Sequence, residues 1–521
     1  TTSNCRALED MRGILPPLPG PPNALYLRAA HRQTSRVPNR SAACAGLLLS
    51  LAGATAAGAT LDDCRLSAGP RVSTLKAACL ELAVPENPAA PEGGDVALFV
   101  ARVASLSVEP QPDPLVIVAG GPGQSAVDFY LSFRGAFERI RQERDVLLID
   151  QRGTGRSNAL QCPDAAVLVE GADDARVIRE ATEQCLASLS GDARYYTTSV
   201  AVTDLVTVFD TLGIDAVNVY GISYGTRVAQ HLMRRHPERV RRAILDGVVP
   251  PDFVLGPAIA LDAQAALTRI YARCDEDPAC AERFPAPLAA LNELRRRLGE
   301  TPVDVVIDDP VSGERRVQRL SDVEVAVAVR LMSYSPMTAA LLPLYIDSAL
   351  HEQRYEPLAA QVRLIESSFV ESLSIGMHNS VVCTEDAPWF DAAGVDQTAL
   401  GETYLGTLTF DALATACEVW PRGVIDDDFK QALTSDIPTL LLSGENDPIT
   451  PPAYGERAAA GLSRSLHLTG PGQGHGLAPL GCVPRVMAEF LNAEAPLAID
   501  TACVDKLAVM PFFVDFTGPG Q

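Results

Sequence analysis

The stretch Val217-Asn218-Val219-Tyr220-Gly221-Ile222-Ser223-Tyr224-Gly225-Thr226 decides how this 521-residue chain is read. An apolar run with the character of a buried strand meets Gly-x-Ser-x-Gly, and residues 226–236 behind it carry a helical pattern. Such a pentad is common by chance. Bracketed by strand and helix it marks a nucleophile elbow, where small flanking residues let the backbone turn sharply and stand the hydroxyl at the carboxyl end of a strand. Ser223 is the candidate nucleophile.

A serine hydroxyl is a weak nucleophile at neutral pH and needs a base within hydrogen-bond reach and a group that orients the base. Behind an elbow of this type the chain order is serine, acid, histidine. His475 lies in Gly472-Gln473-Gly474-His475-Gly476, between the strand-like run 465–468 and the terminal helical stretch 483–491, which is where the base is expected. His467 falls inside a strand pattern, His378 in a long intervening segment, and His231, His236 and His351 in helical patterns. The acid is assigned to Asp447, in the turn Ser443-Gly444-Glu445-Asn446-Asp447-Pro448 after a late strand; its rival is Asp246, after the strand that follows the elbow helix. A tetrahedral oxyanion needs pre-aimed donors. The backbone N–H of Tyr224 supplies one, and the loop Gly120-Gly121-Pro122-Gly123 the other, with Gly121 preferred over Gly123.

Strand-like runs at 96–103, 115–118, 146–149, 217–220, 243–245, 438–442 and 465–468, with a helical pattern at 200–212, predict an α/β fold: a mostly parallel sheet covered by helices on both faces. That rhythm fails after Pro250-Pro251. Helical patterns at 259–273, 288–298, 323–332, 337–351 and 356–373, with a hairpin at 303–320, predict an inserted, mostly helical cap. The expected organisation is leader and signal peptide 1–59, first core part 60–250, cap 251–430 and second core part 431–521.

Composition bounds the function classes. With 47% apolar and 21% charged residues the chain is globular. A Pro-rich, Arg-containing leader (15–40) precedes an Ala/Leu/Gly run (42–59) that ends in Ala57-Gly58-Ala59, the pattern of a cleaved secretory signal. Without those residues, which hold six Arg against Glu9 and Asp10, the net charge moves from −22 to −26. Such a surface repels phosphate backbones, so no nucleic-acid partner is expected, nor stable membrane association after cleavage. Ten cysteines follow Ala59 and fall in chain order into five neighbouring couples. An oxidising compartment makes these plausible bridges; scattered buried thiols are the alternative. No C-x-x-C pair or His-Cys cluster occurs, and neither metal nor cofactor is implied.

The elbow and His475 loop, together with Asp150-Gln151-Arg152-Gly153-Thr154-Gly155-Arg156-Ser157 and Ser443-Gly444-Glu445-Asn446-Asp447-Pro448-Ile449-Thr450-Pro451, resemble the proline iminopeptidase and tripeptidyl aminopeptidase branch of the α/β-hydrolases over residues 90–500. The resemblance implies an exported serine exopeptidase acting on peptides with a free N-terminus. It also implies a cap whose acids hold the substrate's α-ammonium group, which points to Glu385 and, second, Asp386 in Val382-Cys383-Thr384-Glu385-Asp386. Ala119 stands where many proline iminopeptidases have His, and the cysteines and signal match the secreted, larger-substrate branch. The 150–157 motif is expected to brace the oxyanion loop. Two rivals use the same scaffold: a carboxylesterase of small acyl esters with the same triad, and a catalytically silent binding protein.

Overall fold

The structure, a computed structural model, describes residues 60–67, 74–162, 174–390, 394 and 396–519. The expected leader and signal peptide lie outside the described residues. The central sheet is built from β1 (Asp62–Leu66), β2 (Leu75–Pro85), β3 (Asp95–Val103), β4 (Leu115–Val118), β5 (Val146–Ile149), β6 (Val217–Ile222), β7 (Val240–Asp246), β10 (Thr439–Gly444) and β11 (Ser465–Gly470). Its spatial order is β1-β2-β3-β5-β4-β6-β7-β10-β11, parallel from β5 to β11 with β1 to β3 antiparallel at one edge.

Continuous apolar runs suit strands buried on both faces, and every residue of β4 and β5 is buried. Alternate side chains divide between two cores: Val116 and Val118 pack on one face of the sheet, Leu115 and Ile117 on the other. Helix Thr198–Leu212 stops at Gly213, whose φ of 67° gives the left-handed cap that a side chain disfavours.

Because β4 lies between β5 and β6, the chain leaves it toward one side and returns on the other. A crevice opens at the carboxyl ends where connections diverge in this way. Cross-strand register then brings the loops together: Ile222 and Leu442 both pair with Asp246, and Gly444 pairs with Gly470. The turns after β6, β7, β10 and β11 therefore emerge side by side.

Between β7 and β10 the chain forms helices, among them Ile259–Glu276, Pro287–Glu300, Asp322–Met332, Glu356–Ser372, Ile375–Glu385 and Leu408–Val419, and the hairpin β8 (Val303–Asp308) with β9 (Arg315–Leu320). This segment has its own apolar core, including Leu267, Leu294, Val329 and Leu358. The helix expected at 337–351 is two helices, Pro336–Ala339 and Leu342–His351, the second carrying Pro343 in its first turn, where proline starts a helix but cannot continue one.

Among the described residues five disulfides join the ten cysteines in chain order: Cys64–Cys79, Cys162–Cys185, Cys274–Cys280, Cys383–Cys417 and Cys482–Cys503. Among the described residues no helix is long and apolar enough to cross a membrane.

Candidate active site

Ser223 has φ 55° and ψ −125°, a backbone conformation a side chain rarely adopts, and one that costs about 1–3 kcal/mol. The surroundings enforce it. Ser223 N–H donates to Asp246 O (2.9 Å), while Ser223 O accepts from Thr226 N (2.9 Å) and Thr226 Oγ1 (2.7 Å). A Cβ on Gly221 would come close to Gly225 O, and one on Gly225 would come close to Val118 O, so both glycines are required for strand and helix to approach.

His475 Nδ1 donates to Asp447 Oδ2 at 2.8 Å and lies 3.1 Å from Thr450 Oγ1. Asp447 is wholly buried and its carboxylate is aimed by its own loop: Oδ1 accepts from Ile449 N and Thr450 N, both at 2.9 Å, and Oδ2 from Thr450 Oγ1 at 2.7 Å. With Nδ1 committed as donor, Nε2 is left as the acceptor, the tautomer a general base requires. Burial opposes charging of the imidazole, but Asp447 outweighs it, with Asp246 adding, and the His475 pKa stands above its ordinary value. Burial also opposes ionisation of Asp447; the paired imidazole and the Thr450 donors prevail and lower its pKa.

The His475 loop is held from two sides. Asp246 Oδ1 and Oδ2 accept from Leu477 N (2.8 Å) and Ala478 N (2.9 Å), and Oδ2 also accepts from Tyr220 Oη (2.8 Å). From the inserted segment, Tyr334 O accepts His475 N–H at 2.8 Å and the Tyr334 ring meets the imidazole edge-on at 5.2 Å. A Cβ on Gly474 would fall on Tyr334 O, and one on Gly247 would lie 2.8 Å from His475 Cε1. Asp246, the rival acid, thus touches the backbone of both the nucleophile and the histidine loop but not the imidazole nitrogens.

Gly120 packs against Ser223: a Cβ there would sit 3.1 Å from Ser223 Cβ. Gly121 and Gly123 have φ of 106° and 109°. Among the described residues neither Gly121 N nor Tyr224 N donates to a protein acceptor, so both amides are available as oxyanion donors. Asp150 does brace this region, its Oδ1 accepting from Ser125 Oγ (2.8 Å) and Val127 N (3.1 Å) just beyond the glycine loop. The inserted segment presses on the loop as well, through Ser374 N, which donates to Gly123 O (3.0 Å).

Glu385 and Asp386 are not brought to this site as open anchors. Glu385 is fully buried and accepts from Thr198 N (2.7 Å) and Thr198 Oγ1 (3.0 Å), with Arg227 3.5 Å away. Asp386 is gripped by Arg227 through both oxygens at 2.9 Å, by Lys430 at 2.9 Å and by Leu255 N at 3.1 Å. Burial pushes Glu385 up to about 6 despite Arg227, whereas Arg227 and Lys430 overcome burial to lower Asp386. Carboxylates enclosed by protein donors have no free face for an ammonium group. Their helix, Ile375–Glu385, is buried nearly all round, so no polar stripe reveals which side faces the crevice.

Thr450 and Tyr334 are the contributors that sequence reasoning missed, while Asp246, weighed there as the rival acid, contributes by bracing the histidine loop. The single local signal for Thr450 was its place three residues after the acid in Asp447-Pro448-Ile449-Thr450.

A family model described as alpha/beta hydrolase fold matches residues 113–278, and one described as TAP-like protein matches residues 403–503. The chain is similar to serine protease Hip1 of Mycobacterium tuberculosis, 26% identical over 474 residues, covering 82% of this chain and 87% of that protein. It is also similar to tripeptidyl aminopeptidase of Streptomyces coelicolor, 27% identical over 190 residues, covering 33% of this chain and 35% of that protein. Among solved structures, proline iminopeptidase of Mycobacterium smegmatis aligns with 18% identity and a TM-score of 0.40, covering 81% of this chain and 100% of that one. An elbow serine at the end of a central parallel strand and two family models across the sheet lead to one conclusion: the chain has the α/β-hydrolase fold and carries a TAP-like segment, and its homologues include serine proteases and aminopeptidases.

Proposed function

We propose that this protein is an exported serine exopeptidase that releases residues from the free N-termini of peptides, with residues 251–430 acting as a cap over the two core parts, 60–250 and 431–521. The observation that carries the catalytic reading is the locked His475–Asp447–Thr450 group, which leaves Nε2 as an acceptor on a loop that Asp246 ties to the Ser223 backbone. Ser223 Oγ attacks the scissile carbonyl as His475 Nε2 takes its proton; Asp447 stabilises the imidazolium, and the Tyr224 and Gly121 amides receive the oxyanion. His475 then protonates the departing amine, and water hydrolyses the acyl-enzyme by the same relay. Five disulfides support an oxidising compartment. The exopeptidase reading draws support from relatives named tripeptidyl aminopeptidase and proline iminopeptidase.

One observation favours the esterase rival: Glu385 and Asp386 are occupied internally and offer an amine nothing. Hydrolysis of aminoacyl arylamides with a free amine, compared with their N-acetylated forms, separates the two. Loss of the blocked substrates supports the aminopeptidase; equal turnover sinks it. Absence of fluorophosphonate labelling at Ser223 would reject the nucleophile assignment and revive the silent-scaffold reading.

A further inference from the structure

Arg330 lies in the last turn of the helix Asp322–Met332 and is half-buried. Its Nη2 donates to Tyr334 Oη at 3.1 Å, and its Cζ lies 5.7 Å from the centre of the Tyr334 ring that packs on His475. Nε is shut off from solvent without a partner, and among the described residues no carboxylate pairs with this guanidinium. The other enclosed arginines near the crevice are neutralised: Arg152 holds Asp204 through two nitrogens, and Arg227 holds Asp386 likewise. A cation taken partly out of water without a counter-charge is costly, and a guanidinium fork fits a carboxylate. Its position is tied to the base by contact, because the Tyr334 that it holds both packs its ring on His475 and accepts the His475 N–H through its carbonyl. The cation therefore stands one aromatic ring away from the base.

We propose that Arg330 receives a substrate carboxylate, the side chain of an Asp or Glu next to the scissile bond, and so selects acidic peptides. The inference rests on the serine-peptidase reading and names the substrate class of that same site. The pairing also explains why the base tolerates a nearby cation: a bound carboxylate screens the guanidinium, so His475 charges more readily in the complex than in the free enzyme.

The test compares kcat/KM on free-amine peptides that differ only as Glu against Gln, placed in one series on the acyl side of the scissile bond and in a second on the leaving side. A charge-assisted fork predicts a preference for Glu of about 10- to 100-fold on one of the two sides. Arg330→Gln should bring that ratio to about one, and Arg330→Lys, a point charge without the fork, should keep an intermediate ratio. Fluorophosphonate labelling of Ser223 in each variant verifies that the site is assembled. Equal cleavage of Glu and Gln peptides by the unmodified enzyme, or a Glu preference that survives Arg330→Gln, overturns the proposal while leaving the peptidase reading intact. Cleavage of no peptide despite labelling overturns the peptidase reading instead, and the same Glu–Gln comparison on aminoacyl esters then decides the role of Arg330.

Discussion

At Ser223, Thr450 and Asp246, single side chains or their backbone atoms fix how the relay works, and each change has its own signature. Ser223→Ala removes the nucleophile and should lower kcat by roughly a millionfold, measured on whichever substrate class the protein turns over. Thr450→Val deletes a hydroxyl that donates to Asp447 Oδ2 and receives part of the His475 Nδ1–H. Loss of one hydrogen bond to a charged group predicts a fall in kcat of about 10- to 100-fold with little change in KM; a change confined to KM would place Thr450 outside the relay. Asp246 acts differently, through charge and scaffold. Its carboxylate helps hold the His475 pKa above the ordinary value, so the base is neutral, and the enzyme active, only above that raised value. Asp246→Asn removes an anion that favours the imidazolium, and the acidic limb of the kcat/KM profile should move to lower pH as kcat drops. An unmoved limb would reduce Asp246 to a purely structural support. Asn is a demanding replacement because its amide nitrogen would face a backbone N–H that the carboxylate now accepts.

At the scale of elements, the site depends on which turns the register of the sheet places together and on what the inserted segment adds. Strands β4 and β5 were legible because each is a short, wholly apolar and wholly buried run, as in Leu115-Val116-Ile117-Val118, and the elbow because its pentad follows an apolar-rich strand. Strand β2 was not, since Lys76, Glu81 and Pro85 interrupt a half-exposed strand second from the sheet edge. Ser223, Asp447 and His475 were readable because each sits in a turn directly after a strand, a placement that chain order alone encodes. Contacts made across the insertion were unreadable: the carbonyl of Tyr334 reaches His475 N–H over 141 residues, and nothing local to either residue signals it. The buried ion-pair group around Arg227 hid in the same way, so Glu385 and Asp386 looked like free acids. The junction between insertion and base predicts that Gly474→Ala, whose Cβ would collide with Tyr334 O, lowers both kcat and thermal stability. Retention of full activity would show that the helix end does not position the histidine loop.

Among the described residues, the five bridges are all local in sequence, with separations between 6 and 34 residues, and none ties the insertion to the sheet. The insertion is held to the core by packing, by Arg227 on Asp386, and by the Tyr334 and Ser374 backbone contacts. Each disulfide should therefore stabilise mainly by restricting the unfolded chain, an effect that grows with loop length. Cys383–Cys417 closes 34 residues between helices Ile375–Glu385 and Leu408–Val419, whereas Cys274–Cys280 closes 6 at the end of helix Ile259–Glu276. On loop entropy alone, replacing the first pair by Ser should cost about 1.5 kcal/mol more than replacing the second. The longer bridge also anchors the helix that Ser374 caps, and Ser374 N donates to Gly123 O of the glycine loop, so its loss should depress activity at temperatures where the fold survives. Urea unfolding followed by fluorescence, with turnover measured alongside, checks both parts. Equal destabilisation by the two double variants, or undiminished turnover without Cys383–Cys417, would show that the oxyanion loop draws its order from the sheet and not from the helix that bridge secures.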